Sequence, residues 1–227
     1  MAERSLDSFR KVALQQLPSS VRPAFHALWQ LDLAFADITA TSSDPALGAI
    51  RFAWWRERLE ALDTGVCAPA EPRLQAVAKE LIPRGVGGSE LSQLEDAWSP
   101  LATPLPWGAA QVDGLKLRGR ILFGIGARLV GGDSKDGEAA GALWSVVDGA
   151  RHCSDAHTRI FLLGQARAAI ADLPRQRPPK FLRRLTALAA IAAHDAIHNR
   201  PLALDQGDPG RAIAAFLHYM RGTLPHE

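Results

Sequence analysis

RPAFHALWQLDLAFADITATSSDPALGAIRFAWWRERLEAL, residues 22–62, decides the fold. It reads as two long helices joined by a short polar turn. In the first, Phe25, Leu28, Trp29, Leu31, Leu33 and Phe35 leave little polar face. That helix, capped by Ser20 and reaching about Thr39, must therefore lie mostly in the core. Asp44 followed by Pro45 is a start signal, an N-cap and then a proline at the first helical position. Gly65 stands where a C-terminal glycine belongs, which predicts the second helix over about 45–64. The rest of the chain is expected to pack against this hairpin.

Upstream, Leu6, Phe9, Val12, Ala13 and Leu17 have helical spacing and end before Pro18, which gives a first helix over 6–17. Downstream, 71–82 is a short amphipathic helix closed by Pro83 and Gly85, and Ser89 caps another that reaches Trp98. Pro100 to Pro106 is an irregular connector. A long helix over 107–130 carries Gly108, Gly114, Gly119, Gly124 and Gly126. Each mid-helix glycine costs roughly 1 kcal/mol against alanine. So many imply close helix approach, space for a bulky ligand, or loose packing. After GGDSKDG, residues 138–173 form one long helix or two joined near Cys153 to His157. LPRQRPP at 173–179 is a proline-rich link, 180–199 an alanine-rich helix and 209–221 the last. No internal repeat is visible.

Composition agrees with this reading. Alanine, leucine and arginine abound, aromatic β-formers are few, and tyrosine occurs once, at Tyr219, so the chain is expected to be all-α. Its 227 residues, 47% hydrophobic, suit one domain with a sizeable core. A net charge of +2 does not supply a nucleic-acid surface, despite a pI near 8.7. No run of eighteen apolar residues offers a membrane span, and MAERSLDSFRK lacks the apolar core of a signal peptide, so a cytoplasmic protein is expected. Cys67 and Cys153 read as ordinary thiols.

Three stretches resemble the squalene/phytoene synthase family of all-α, head-to-head isoprenoid synthases. LPSSVRPAFHALWQLDLAFADITA supplies Leu17, Pro18, Arg22, Ala24, Ala27, Leu28 and Trp29 in the family's order. FAWWRERLEAL supplies the WR signature as Trp55 and Arg56. GALWSVVDGARHCSDAHTRIFLL, residues 141–163, is similar to the second family motif. The resemblance implies a helical bundle of the isoprenoid synthase fold around a central cavity. There, two acidic motifs hold Mg²⁺ against substrate diphosphates, because carboxylates one helical turn apart can share a divalent ion with phosphate oxygens.

Aligned residue by residue, the first motif falls on Ala36 to Ala40 and keeps only Asp37; the arginine before it becomes Leu33. In the second, Arg151 is kept, the aspartates fall on His152 and Ala156, Asp155 takes the glutamate position and Asp148 the asparagine. Asp32 and Asp37 lie about 140° apart around a helix, and Asp148 and Asp155 share a face about 10 Å apart along it, so neither pair makes a good diphosphate clamp.

Other constellations are weaker. His194 and His198 stand one turn apart, as in a zinc helix, but lack a third ligand and read as helix surface. His152 and His157 near Asp155 read as polar surface at a helix joint. Arg175, Arg177, Lys180, Arg183 and Arg184 form the densest basic cluster, suited to anionic lipid headgroups or a phosphorylated ligand. At a helix start such cations oppose the macrodipole. Arg51, Arg56 and Arg58 beside Trp54 and Trp55 suggest cation–π contacts, with Trp55 in the core.

Three functions stay open. The first is a member without prenyl transfer that serves as a binding or assembly factor, as one branch of the family does for respiratory complex I, with peripheral contact at the inner membrane. The second is a divergent Mg²⁺-dependent prenyl-diphosphate transferase. Asp37, Asp148 and Asp155 would then be catalytic, Asp37 and Asp155 would hold the metal, and Arg22, Trp29, Arg56, Arg151 and Arg159 would contact substrate. The third is a protein that binds an isoprenoid or another lipid.

Overall fold

The computed structural model describes residues 5–42, 44–171, 173, 177–198 and 208–224. Among them every regular element is helical. The helices are α1 (Ser8–Gln16), α2 (Arg22–Thr41), α3 (Pro45–Asp63), α4 (Pro72–Glu80), α5 (Gly88–Ser92), α6 (Leu94–Trp98) and α7 (Ala109–Leu129), then α8 (Lys135–His152), α9 (Ala156–Ala171), α10 (Arg183–His198) and α11 (Pro209–Arg221). Short 3-10 turns occupy Ile82–Arg84 and Ser99–Ala102. No helix among the described residues is long and apolar enough to cross a membrane.

The central hairpin forms as its sequence dictates. The Asp44 carboxylate accepts a hydrogen bond from the Ala46 N–H at 2.8 Å, and Pro45 opens α3. Thr64 ends the helix and Gly65 follows with φ of 79°. Phe35 of α2 stacks on Phe52 of α3, ring centroids 5.8 Å apart, and meets Trp55 at 5.9 Å. Removing a buried phenyl ring of this kind costs about 3–5 kcal/mol. Trp55 is in the core while Trp54 is exposed.

Two local expectations are corrected. Ser20 does not cap α2: Val21 holds the N-cap position without a side-chain bond, and Pro23, which has no N–H to satisfy, stands in the first turn. The helix expected over 89–98 is two short ones, α5 and α6, meeting at Gln93. The stretch after Glu138, left open above, is two helices, because the backbone turns extended at Cys153.

The glycines of α7 serve close approach. A Cβ on Gly119 would overlap the Gly141 carbonyl of α8, and one on Gly141 would overlap the Gly119 carbonyl. The two backbones touch there, leaving no room for a ligand between them. Phe123 of α7 and Trp144 of α8 continue the contact, with rings 5.3 Å apart. One buried cluster runs from Leu6 through α2, α7 and α8 to Ala196 of α10.

Candidate functional site

Where α1, α2, α7 and α8 meet, the interior is filled with charge. Asp32 projects from the middle of α2 with no exposed surface. An apolar helix such as LWQLDLAF carries an aspartate inward only if partners compensate it, since an unpaired buried carboxylate costs several kcal/mol. Four donors do so. Arg118 of α7 grips Asp32 through Nε to Oδ1 at 2.7 Å and Nη2 to Oδ2 at 2.6 Å. Arg10 of α1 donates Nη1 to Oδ2 at 3.2 Å, and the Trp98 indole donates Nε1 to Oδ1 at 3.0 Å. A carboxylate offers about four lone-pair sites. Each of the four faces an N–H.

Asp148 of α8 lies across from Asp32 and shares both cations. Its Oδ2 accepts from Arg10 Nη2 at 3.0 Å and from Arg118 Nη1 at 2.9 Å, while His152 Nδ1 stands 3.7 Å from Oδ1. Two carboxylates and two guanidiniums thus form a quartet in which all four residues are buried, and Arg10 Nε also lies 3.0 Å from Asp7 Oδ2 at its edge. Aromatic faces complete it: Arg118 lies 4.7 Å from the Trp98 ring and 5.0 Å from Trp144, and Arg10 lies 4.9 Å from Trp144. Burial alone would raise the Asp148 carboxyl, yet the Arg10 and Arg118 guanidiniums outweigh it and hold the group far below the carboxylate range. Burial likewise opposes the Arg118 charge, and Asp32 and Asp148 overcome it. Asp148 and Arg118 therefore stay ionised at neutral pH, and neither gains or loses a proton there.

A second buried network adjoins it. Asp195 of α10 accepts from Arg151 Nη2 of α8 and from Arg211 Nε of α11, both at 2.7 Å. Both guanidiniums lie 5.7 Å from the Phe9 ring, next in sequence to Arg10.

The other sequence candidates are dispersed. Asp37 is paired with Arg73 of α4 at 2.9 Å. Asp155 sits ahead of α9, where its Oδ2 accepts from the Thr158 N–H at 2.7 Å, and this hydrogen bond holds its carboxyl below the ordinary range. The shared helical face expected for Asp148 and Asp155 does not exist, because α8 ends at His152 and α9 begins only at Ala156. Arg22 donates Nε to the Leu17 carbonyl at 2.7 Å, Trp29 is in the core against Phe25, and Arg56 pairs with Glu95 at 3.0 Å on the surface. Arg159 is half-buried on α9. Among the described residues no group of three or more His, Cys, Asp or Glu side chains comes together to hold a metal ion. The His194 and His198 rings stack 4.3 Å apart, with His194 Nε2 3.8 Å from Asp208.

The squalene/phytoene synthase family model matches residues 4–85, the stretch that holds Arg10, Asp32 and the α2–α3 hairpin. Over that stretch the chain is similar to the squalene/phytoene synthase family. No curated protein and no solved structure matches it. The family's all-α isoprenoid synthase fold agrees with the helices described, while the second motif at 141–163 lies beyond the matched residues.

Three parts of the quartet escaped the sequence reading. Arg10 and Arg118 fall outside the family motifs, and Asp32 was weighed only against Asp37 on its own helix. The signal available was composition: Asp32 is the lone charge in the stretch Ala27–Ala36, and Arg118 lies between Gly114 and Gly119 on a helix whose glycines mark a packed face.

Proposed function

We propose that this chain is a squalene/phytoene synthase-like protein without prenyl transfer, acting as a binding or assembly factor. The observation that carries the reading is the coordination of Asp32. Mg²⁺ demands near-octahedral oxygen ligands at roughly 2.0–2.1 Å. Here the oxygens of Asp32 are taken by guanidinium and indole N–H groups, and Asp148 shares the same two cations. This donor set does not fit a diphosphate-bound Mg²⁺, and an ion entering it would have to expel two buried arginines. Asp37, in a separate pair with Arg73, does not add to it.

The test is pyrophosphate release from farnesyl and geranylgeranyl diphosphate, with Mg²⁺ and with EDTA, alongside calorimetric titration of the same ligands. Expected are no turnover and no Mg²⁺-dependent affinity, with Asp37→Ala indistinguishable from the parent. Mg²⁺-dependent turnover lost in Asp37→Ala would restore the transferase reading.

A further inference from the structure

A cleft of about 760 Å³ opens between α1, α10 and α11, and none of the four quartet residues lines it. Its walls are apolar: Phe9 and Val12 of α1, Leu188 and Ile191 of α10, Phe216 and Tyr219 of α11. Val12 is 52% exposed and Phe216 62%, so hydrocarbon-lined surface faces solvent there. The volume falls within the range of about 300–1,000 Å³ typical of small-molecule sites. Two of the charged side chains lining it are already compensated: Arg211 binds Asp195, and Asp208 caps α11 through the Gly210 N–H at 2.8 Å.

A second cavity of about 430 Å³ shares Arg184 and Tyr219 with the first. Its other walls are Lys180, Phe181, Arg183, Met220, Pro18 and Val130, so it is lined by three cations and no carboxylate among the described residues. The arginines are held in place by helix C-terminal carbonyls. Arg184 donates Nη1 to the Gln16 carbonyl of α1 at 2.7 Å, and Arg183 donates Nη1 to the Met220 carbonyl of α11 at 3.0 Å. This explains cations at the start of α10, which oppose its own macrodipole: they complement the ends of two other helices. A guanidinium has five donors, so carbonyl contacts of this kind leave it able to meet an anion as well.

We infer that the two adjoining cavities bind a single-chain amphiphile with a phosphate-type head, its chain between α1, α10 and α11 and its head among Lys180, Arg183 and Arg184. An apolar trough beside a cavity whose described lining carries three cations and no carboxylate complements a molecule with those two parts. The inference deepens the binding reading above but does not depend on the loss of catalysis, which the pyrophosphate assay tests by itself.

The probe is dodecyl phosphate below its micelle concentration, titrated calorimetrically into the full chain. Dodecanol and inorganic phosphate serve as single-part controls. Dodecyl phosphate is expected to bind at least about tenfold more tightly than either, as loss of one charge-assisted contact set implies, and less tightly as salt rises. Lys180→Glu should weaken it about tenfold. Ala212→Trp, which fills the trough from α11, should abolish it; Phe216→Ser, on an exposed position, is the second variant if the first melts early. Equal affinity for dodecanol, or unchanged binding in both trough variants, overturns the proposal. So does co-sedimentation with phosphatidylglycerol vesicles without binding of the monomer, which would make the cations a bilayer contact and leave the cleft without a role.

Discussion

Replacing Arg118 by methionine tests the quartet most directly. The side chain donates two hydrogen bonds to Asp32 and one to Asp148, all between 2.6 and 2.9 Å, and lies within 5.0 Å of two tryptophan rings. Methionine keeps much of the packing volume and removes the charge, leaving two buried carboxylates to share Arg10. Breaking a buried ion pair by deleting one partner costs about 3–5 kcal/mol. For a chain of this size each kcal/mol lowers Tm by about 2–4 °C, so the fall should be about 6–20 °C. Differential scanning calorimetry at pH 7 reads it. The double variant Asp32→Asn with Arg118→Met removes one charge of each sign and should recover part of the loss, with a coupling of about 1–3 kcal/mol. A single variant melting within about 2 °C of the parent, or strict additivity in the cycle, would show that the carboxylates do not depend on Arg118.

Acid should act through two groups in separate windows. The Asp148 carboxyl is depressed in the fold, so its contribution is complete above its unfolded pKa of about 4 and is lost as pH falls below that value. Burial lowers His218, whose Nε2 lies 2.7 Å from Thr186 Oγ1 and whose Nδ1 lies 3.1 Å from the Thr223 carbonyl. Its contribution is complete above about pH 6.5 and declines as pH drops toward the lower folded value. Melting between pH 8 and 3 should therefore show two declining limbs, with His218→Gln erasing the upper one; a single limb in the parent refutes the assignment. Gly119→Ala, forcing a methyl into the Gly141 carbonyl, should destabilise by about 1–3 kcal/mol or more. Gly164→Ala on α9, where a Cβ meets nothing within 4 Å, should be neutral or stabilising by up to about 1 kcal/mol in the same thermal melts.

Helical period, proline and glycine punctuation and the Asp44 cap are local signals, and the α2–α3 hairpin followed from them almost to the residue. Ser20 and the break at Gln93 did not follow, because a backbone can start a helix without a side-chain cap and one stray turn at Gln93 leaves no mark in the apolar pattern. The glycines of α7 were readable only as alternatives. Choosing among them required knowing that Gly119 and Gly141, 22 residues apart, lie back to back. Arg175, part of the predicted basic cluster, lies outside the described residues. Lys180, Arg183 and Arg184 do converge, through long-range contacts with α1 and α11 that no local pattern encodes.

The quartet was invisible for a related reason, and its geometry bears on what the site can do. Carboxylates brought together in a core require about as much positive charge as they carry, whatever supplies it. A divalent ion supplies that charge from solution and leaves coordination positions open to a substrate's oxygens. Arg10 and Arg118 supply it from the chain itself: they need no ion, and on Asp32 they and Trp98 leave no acceptor site open. Two positive charges on planar, multi-donor groups can thus stabilise facing acids without an ion. Sequence inspection that counts acids within each motif sees only that some are missing. Counting arginines able to reach the remaining ones asks the more decisive question, because a carboxylate already saturated by N–H groups has no lone pair left for a metal ion.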